Sequence, residues 1–389
     1  INKAVGLKMI LHKIQFIKTS CCFFVALLLS SYLSAQHSLR IELKNKPLSH
    51  TNDSLYIAGS FNGWNPGVNA FQTASNGIQF AEIKGIPTGT FEYKITRGSW
   101  SSVETAANGS SISNRFLYIS SDTVVTISIE AWTDDFPGRP PVSTRSKNVF
   151  VADTAFLIPQ LNRKRRIWVY LPEDYAFSKR KYPVLYMQDG QNLFDVQTSS
   201  YGEWGVDEMM DSVRLGKQCI IVGIDHGDSK RLTEYNPYTS KFGAGEGDAY
   251  VDFLVTTLKP YIDKTFRTKP LKESTFIAGS SMGGLISLYA VLKYPSVFGV
   301  AGIFSPAFWI APDLKKKIDS TGHLNSAVYF VCGEKEGVQM QSEMKQVYEQ
   351  LKQKGTKKLY YKQVKEGMHN EGFWRSEMYD FFRWLNSVK

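Results

Sequence analysis

From Val149 to the C-terminus, short apolar runs alternate with longer stretches of helical period. The runs are RRIWVYLP, YPVLYMQDG, CIIVGIDHG, STFIAGSS, GVAGIFSP, AVYFVCGE and KLYYKQVKEG. Their continuous apolar character predicts strands buried on both faces, as in a parallel sheet. Between them VDEMMDSVRL, DAYVDFLVTTLKPYIDKTF, MGGLISLYAVLKY, VQMQSEMKQVYEQLKQK and WRSEMYDFFRWLNSV read as helices. In the second of these, Val251, Leu254, Leu258 and Ile262 recur at spacings of three and four and make one apolar stripe. Strand–helix alternation predicts an α/β domain over 149–389, with a mostly parallel sheet and right-handed crossovers.

The preceding segment has another rhythm. Over 36–135, strand-like runs (SLYIAGSF, IQFAEIKGI, FEYKITRG, RFLYISS, TVVTISIEAW) alternate with turn signals (NGWNPG, SNG, PTG, NGSS). This pattern predicts a small all-β sandwich. Residues 136–148, in the Pro/Gly-rich stretch TDDFPGRPPVSTRSKN, read as a linker held extended by Pro140 and Pro141.

Residues 1–35 read as a signal peptide. Lys3, Lys8, Lys13 and Lys18 come first, then the apolar CCFFVALLL, then small residues. The apolar run is too short to span a bilayer comfortably. Met9 is taken as the start and cleavage is expected after Ala35. The mature protein is therefore expected to be secreted or periplasmic and free of the membrane, with an N-terminal anchor as the weaker alternative.

Composition narrows the classes. Hydrophobic residues at 43% and charged residues at 21% exclude a disordered chain. The net charge of +10 includes the four N-terminal lysines, and no long Lys/Arg run follows, so nucleic acid is not an expected partner. The cluster Arg163, Lys164, Arg165, Arg166 is expected to be a solvated turn. Cys219 and Cys332 lie in apolar strands and read as core thiols, and no cysteine pair has zinc spacing. No metal or cofactor is expected.

The candidate chemistry lies in the α/β domain. Gly279-Ser280-Ser281-Met282-Gly283 matches G-x-S-x-G between a predicted strand and a predicted helix. A sharp turn there lifts the Ser281 hydroxyl above the sheet, and flanking glycines avoid a Cβ clash. The Met282 N–H would face a developing oxyanion at the helix start. Beyond the linker the histidines are His226, His323 and His369. A base must lie on a loop past a strand's carboxyl end, which His369 satisfies and His323 does not. The acid should follow AVYFVCG. Glu336 is preferred, because three residues past Gly333 leave room to turn back, and Glu334 is the alternative. The loop after YPVLYMQ carries Asp189, Gly190, Gln191 and Asn192. Its Gln191 N–H is the expected second oxyanion donor, with Gly190 allowing close backbone approach to a ligand.

Residues 149–389 resemble the α/β-hydrolase family described as Putative esterase, which includes esterase D-like, enterochelin-type siderophore, feruloyl and acetyl-xylan esterases. The resemblance rests on YMQDGQNLFD, WGVDE, RLTEYNP, GSSMGG, FSPAFW, GEKEG and HNEGFW. It implies the α/β-hydrolase fold and supports Ser281, His369 and Glu336 by position. It further implies that Asp189, Trp204, Phe308, Trp309 and Trp374 line the substrate cleft. A departure is Gln188, where the family commonly has His before Asp-Gly.

The N-terminal module resembles starch- and glycogen-binding β-sandwiches through AGSFNGWNP, FEYKITRGSW and SNR. That resemblance implies Trp64 and Trp100 as sugar platforms, because a flat ring stacks on a pyranose face. A purely structural module, with Trp64 filling its own core or the domain interface, is an equal alternative. The expected function is a secreted serine carboxylic-ester hydrolase acting through an acyl-enzyme on a small-molecule or carbohydrate ester, with polysaccharide binding by the module. The alternatives are a non-catalytic carbohydrate-binding protein and an acyltransferase on the same fold.

Overall fold

A computed structural model describes residues 36–388, except 63, 111, 113, 137–141, 200 and 201. The expected signal peptide and the start of the linker lie outside the described residues.

The N-terminal module is built from strands. One sheet has the order β3–β4–β1–β8, with β1 Gln36–Asn45, β3 Gln72–Thr73, β4 Gln79–Pro87 and β8 Thr123–Ser128. The second is β2–β5–β7, with β2 Tyr56–Gly59, β5 Gly89–Thr96 and β7 Arg115–Ile119. A short pair, β6 Glu104–Thr105 and β9 Ala131–Trp132, completes it. Alternate residues point inward, so Leu39, Ile41, Ile57, Ile83, Phe91, Tyr93, Ile95 and Trp132 make one core.

The rest of the chain forms one eight-stranded sheet. Its strands are β10 Val149–Ile158, β11 Arg163–Tyr170, β12 Val184–Gln188, β13 Ile220–Ile224, β14 Thr275–Ser280, β15 Val300–Phe304, β16 Ala327–Gly333 and β17 Leu359–Val364. The order is β10–β11–β13–β12–β14–β15–β16–β17. β11 is antiparallel to both neighbours, and β13 to β17 pair in parallel with β12 among them. This is the α/β-hydrolase fold, a mostly parallel sheet with a β-rich N-terminal region.

Helices cover both faces. They are α1 Val206–Ser212, α2 Arg231–Glu234, α3 Gly247–Phe253, α4 Lys259–Thr265, α5 Met282–Lys293, α6 Asp313–Ser320, α7 Val338–Gln353 and α8 Glu371–Val388. On one face Tyr170, Leu185, Phe276 and Tyr329 pack with Val206 and Met210 of α1 and Met378, Phe381 and Leu385 of α8. On the other, Val169, Val184, Ile277 and Phe330 pack with residues of α3 to α7. Period-two alternation thus divides each strand between two apolar layers. α5 is buried from Met282 to Leu292, as expected of a helix apolar all round.

Three elements differ from the sequence-based expectation. β10 is an antiparallel edge strand whose burial is mixed, which hides its period. α6 is a short amphipathic helix that buries Leu314 and Ile318. The helix expected over 248–266 is interrupted by a π-helical segment, Leu254–Leu258. Pro260 lacks an N–H and would clash with the preceding turn, and the wider segment accommodates it.

The cluster expected as a solvated turn is part of β11. Arg163 and Arg165 pair with the fully buried Glu234, and Arg163 also reaches Glu246. A buried carboxylate needs such cations, which draws these side chains off the solvent. Cys219 and Cys332 are buried thiols that form no disulfide, as read from their strands. The linker's second half is tied down: Ser143 donates to Asp195 at 2.7 Å, and the Ser146 N–H donates to Asp207 at 2.7 Å.

Candidate active site

β14 runs into α5 through Ser281, whose backbone sits at φ 55° and ψ −120°. This conformation is costly for a residue with a Cβ and persists only where its surroundings enforce it. Here they do. A Cβ on Gly279 would lie 2.7 Å from the Gly283 carbonyl, and one on Gly283 would lie 3.0 Å from the Gln188 Cβ. The Ser281 N–H donates to the Phe304 carbonyl at 2.9 Å, and the Ser281 carbonyl accepts the Ala307 N–H at 3.1 Å. The hydroxyl therefore stands at the start of a buried helix, beside the first-turn N–H of Met282.

Glu336 closes a 3-10 turn immediately after β16. Its side chain is wholly buried. Oε1 accepts the Gly333 N–H at 2.6 Å and the Ser305 hydroxyl at 2.7 Å. Oε2 lies 2.7 Å from His369 Nδ1. Ser305 Oγ in turn accepts the Trp374 indole N–H at 2.9 Å. The alternative acid, Glu334, is exposed. His369 follows β17, and its ring meets Trp374 edge-on at 5.1 Å. Burial opposes the imidazolium, but Glu92, the Glu336 hydrogen bond and Glu371 outweigh it and raise the ring to about 9. Ser281, Glu336 and His369 line one small cavity at the carboxyl end of the sheet. Among the described residues no hydrogen bond joins Ser281 to the ring, as is common before substrate tightens such a site.

The remaining expected residues divide. Trp204 and Trp374 line a larger cavity of about 690 Å³ that also reaches Ser281 and His369. Their rings lie 5.5 Å apart. Trp309 and Met282 line the smaller cavity. Phe308, by contrast, is buried in the core on the α3–α7 face. Asp189 lines the larger cavity, but its carboxylate is held by Arg231 through two 2.7 Å bonds. Gln191 is buried, and its side-chain oxygen accepts the His226 N–H at 3.2 Å. Gly190 abuts strand β13 and not a ligand space, since a Cβ there would lie 2.8 Å from Gly223 and Ile224 backbone.

Residues 158–385, more than half of the chain, match the family model described as Putative esterase. The chain belongs to that family. The esterase is 29% identical over 244 residues to Uncharacterized protein YbbA of Bacillus subtilis (strain 168), covering 57% of this chain and 92% of that one. It is 26% identical over 150 residues to Iron(III) enterobactin esterase of Escherichia coli (strain K12), covering 39% and 34% of the two chains. The solved structure of enterochelin esterase from Shigella flexneri matches with a TM-score of 0.52 at 14% identity, covering 86% of this chain and 88% of that one. The breadth of that likeness includes the N-terminal β-rich region, and it concerns fold alone. Family and relatives together make this chain a hydrolase of carboxylic esters.

The esterase site also contains residues outside the sequence-based set. Lys94 and Asn114 face the larger cavity beside Trp64 and Trp100, the two rings expected as sugar platforms, whose centroids lie 6.3 Å apart. Glu371, at the start of α8, is buried near Asn192, whose amide donates to it at 3.3 Å, and burial pushes its carboxyl up to about 7. His226 lines the same cavity, and burial lowers its pKa. The only signal for Glu371 was its place within HNEGFW. For Lys94 the alternation of FEYKI marks an outward face without saying what that face meets, and the only signal for Asn114 is its place within SNR.

Proposed function

We propose that this esterase is a serine hydrolase that forms an acyl-enzyme on Ser281. The observation that carries the reading is the 2.7 Å His369–Glu336 contact in the cavity that Ser281 enters from its positive-φ bend. Ser281 Oγ attacks the ester carbonyl while His369 accepts its proton. His369 then returns that proton to the leaving alkoxide. Water attacks the acyl-enzyme by the reverse sequence. Glu336 fixes the ring tautomer and stabilises the imidazolium. The Met282 N–H supplies one oxyanion donor. The Asn192 N–H is used within its own turn, donating to Asp189 at 2.9 Å, so Gln191 is the assigned second donor. Such a donor contributes about 3 kcal/mol to the transition state.

The substrate we propose is a carbohydrate-linked or siderophore-type ester with a flat ring near the scissile bond. Support comes from Trp64 and Trp100 lining the same cavity as Ser281. That placement favours a catalytic role for the module over a separate polysaccharide platform. The lysine-rich then apolar N-terminus supports export. The test is hydrolysis of p-nitrophenyl acetate by wild type and Ser281→Ala. A loss of several orders of magnitude is expected, and equal rates would remove the assignment. Product analysis with an added alcohol separates hydrolysis from acyl transfer.

A further inference from the structure

On β5 the period-two pattern of FEYKI sends Phe91, Tyr93 and Ile95 into the sandwich core and turns Glu92 and Lys94 the other way. Glu92 there lines the small cavity together with Ser281, Glu336 and His369. Its backbone is clamped. The Ser60 N–H donates to its carbonyl at 2.9 Å, and its own N–H donates to Ser60 Oγ at 3.2 Å. Gly59 packs so closely that a Cβ would lie 2.6 Å from the Glu92 carbonyl oxygen. Gly59 and Ser60 thus act as a brace for one residue of the neighbouring strand.

The Glu92 side chain is held as well. Its Oε2 accepts the Asn114 amide at 2.9 Å. Among the described residues no lysine or arginine pairs with it. Arg231 shares the cavity but gives its guanidinium to Asp189. Lys94 turns its ammonium to the Ile112 carbonyl at 2.5 Å. The groups facing the imidazole are therefore Glu336 from the loop after β16, Glu371 from α8 and Glu92 from β5. His369 shares its cavity with acids supplied by two parts of the chain, and among the described residues Glu92 has no lysine or arginine partner.

We infer that Glu92 is a positioning residue for His369: the sandwich module supplies a second carboxylate that favours the imidazolium formed when Ser281 gives up its proton. The catalytic apparatus is then complete only with the module docked. This rests on the reading of His369 as general base. Burial pushes the Glu92 carboxyl up, and the ring's charge draws it down. The charge of Glu92 and the hydrogen bond and charge of Glu336 both act to raise the ring.

The test is Glu92→Gln in the full chain, which keeps size and the Asn114 contact while removing the charge. The His369 ring is titrated by NMR with labelled histidine, and kcat/KM is followed against pH. The ring midpoint is expected to fall by about one pH unit or more, and the acid limb of kcat/KM should move down with it. Glu92→Asp, with its charge drawn back by one methylene, should fall between the two. A purely structural role would alter melting temperature and leave the midpoint in place. An unmoved midpoint in folded Glu92→Gln or Glu92→Asp overturns the inference. The ring titration is also read in Ser281→Ala. A Ser281→Ala enzyme that kept its activity would sink the serine mechanism while the midpoint still decided the role of Glu92.

Discussion

At His369 burial works against the cation, and the carboxylates of Glu92, Glu336 and Glu371 work for it, with a net rise to about 9. A base must be neutral to accept a proton, so activity is lost as pH falls through that value. We expect kcat/KM to climb with unit slope toward pH 9 and then level, and a plateau already complete at pH 7 would contradict this. Glu336→Gln places an amide where the imidazole N–H needs an acceptor. A fall in kcat of about 10⁴-fold is expected with little change in melting temperature, by analogy with removing the tautomer-fixing carboxylate of other triads. That Ser281, Met282, Glu336 and His369 meet at one cavity was legible in the sequence, because motif, chain order and strand ends constrain them. Glu92 was not. Alternation reports which face a side chain takes, and a face that looks outward in one domain can be the wall of another.

Two loops bring Glu336 and His369 together, and they meet backbone to backbone. A Cβ on Gly333 would lie 2.1 Å from the Gly367 carbonyl oxygen, and one on Gly367 would lie 2.7 Å from the Phe373 ring. Neither strand end can yield without parting Glu336 from His369. Gly333→Ala should therefore cost about 1–3 kcal/mol, lower the melting temperature and depress activity together. Gly322→Ala, where a Cβ would meet nothing within 4 Å, is the control expected to change neither. At this scale the central strands were legible because burial on both faces leaves an unbroken apolar run. β10 was not, since an edge strand half in solvent has no such run. The break at Leu254–Leu258 was legible only as Pro260 itself. The charges on β11 were misread because their partner, Glu234, lies far along the chain.

Across the whole molecule, the sandwich and the α/β domain line one cavity together. Lys241 donates to the Ser60 carbonyl at 3.3 Å across the boundary, and the larger cavity takes its walls from both sides. Trp64→Ala and Trp100→Ala should raise KM several-fold for esters carrying a sugar or aromatic ring and leave p-nitrophenyl acetate nearly unchanged. Equal effects on both substrates would mean that these rings only brace the boundary. The switch from the N-terminal sheets to the eight-stranded sheet was legible from the change of rhythm near Val149. The docking of one domain on the other's site was not, because it depends on contacts between surfaces that each look solvated in sequence.

The central claim is that the ester's acyl group passes through Ser281 Oγ. The most direct measurement is peptide mass analysis after treatment with an organophosphonate ester that traps activated serines. A single adduct on the peptide carrying Ser281, formed in step with complete loss of esterase activity and absent from His369→Ala, is the predicted result. Full activity with no adduct, or stoichiometric labelling at another residue, would contradict it.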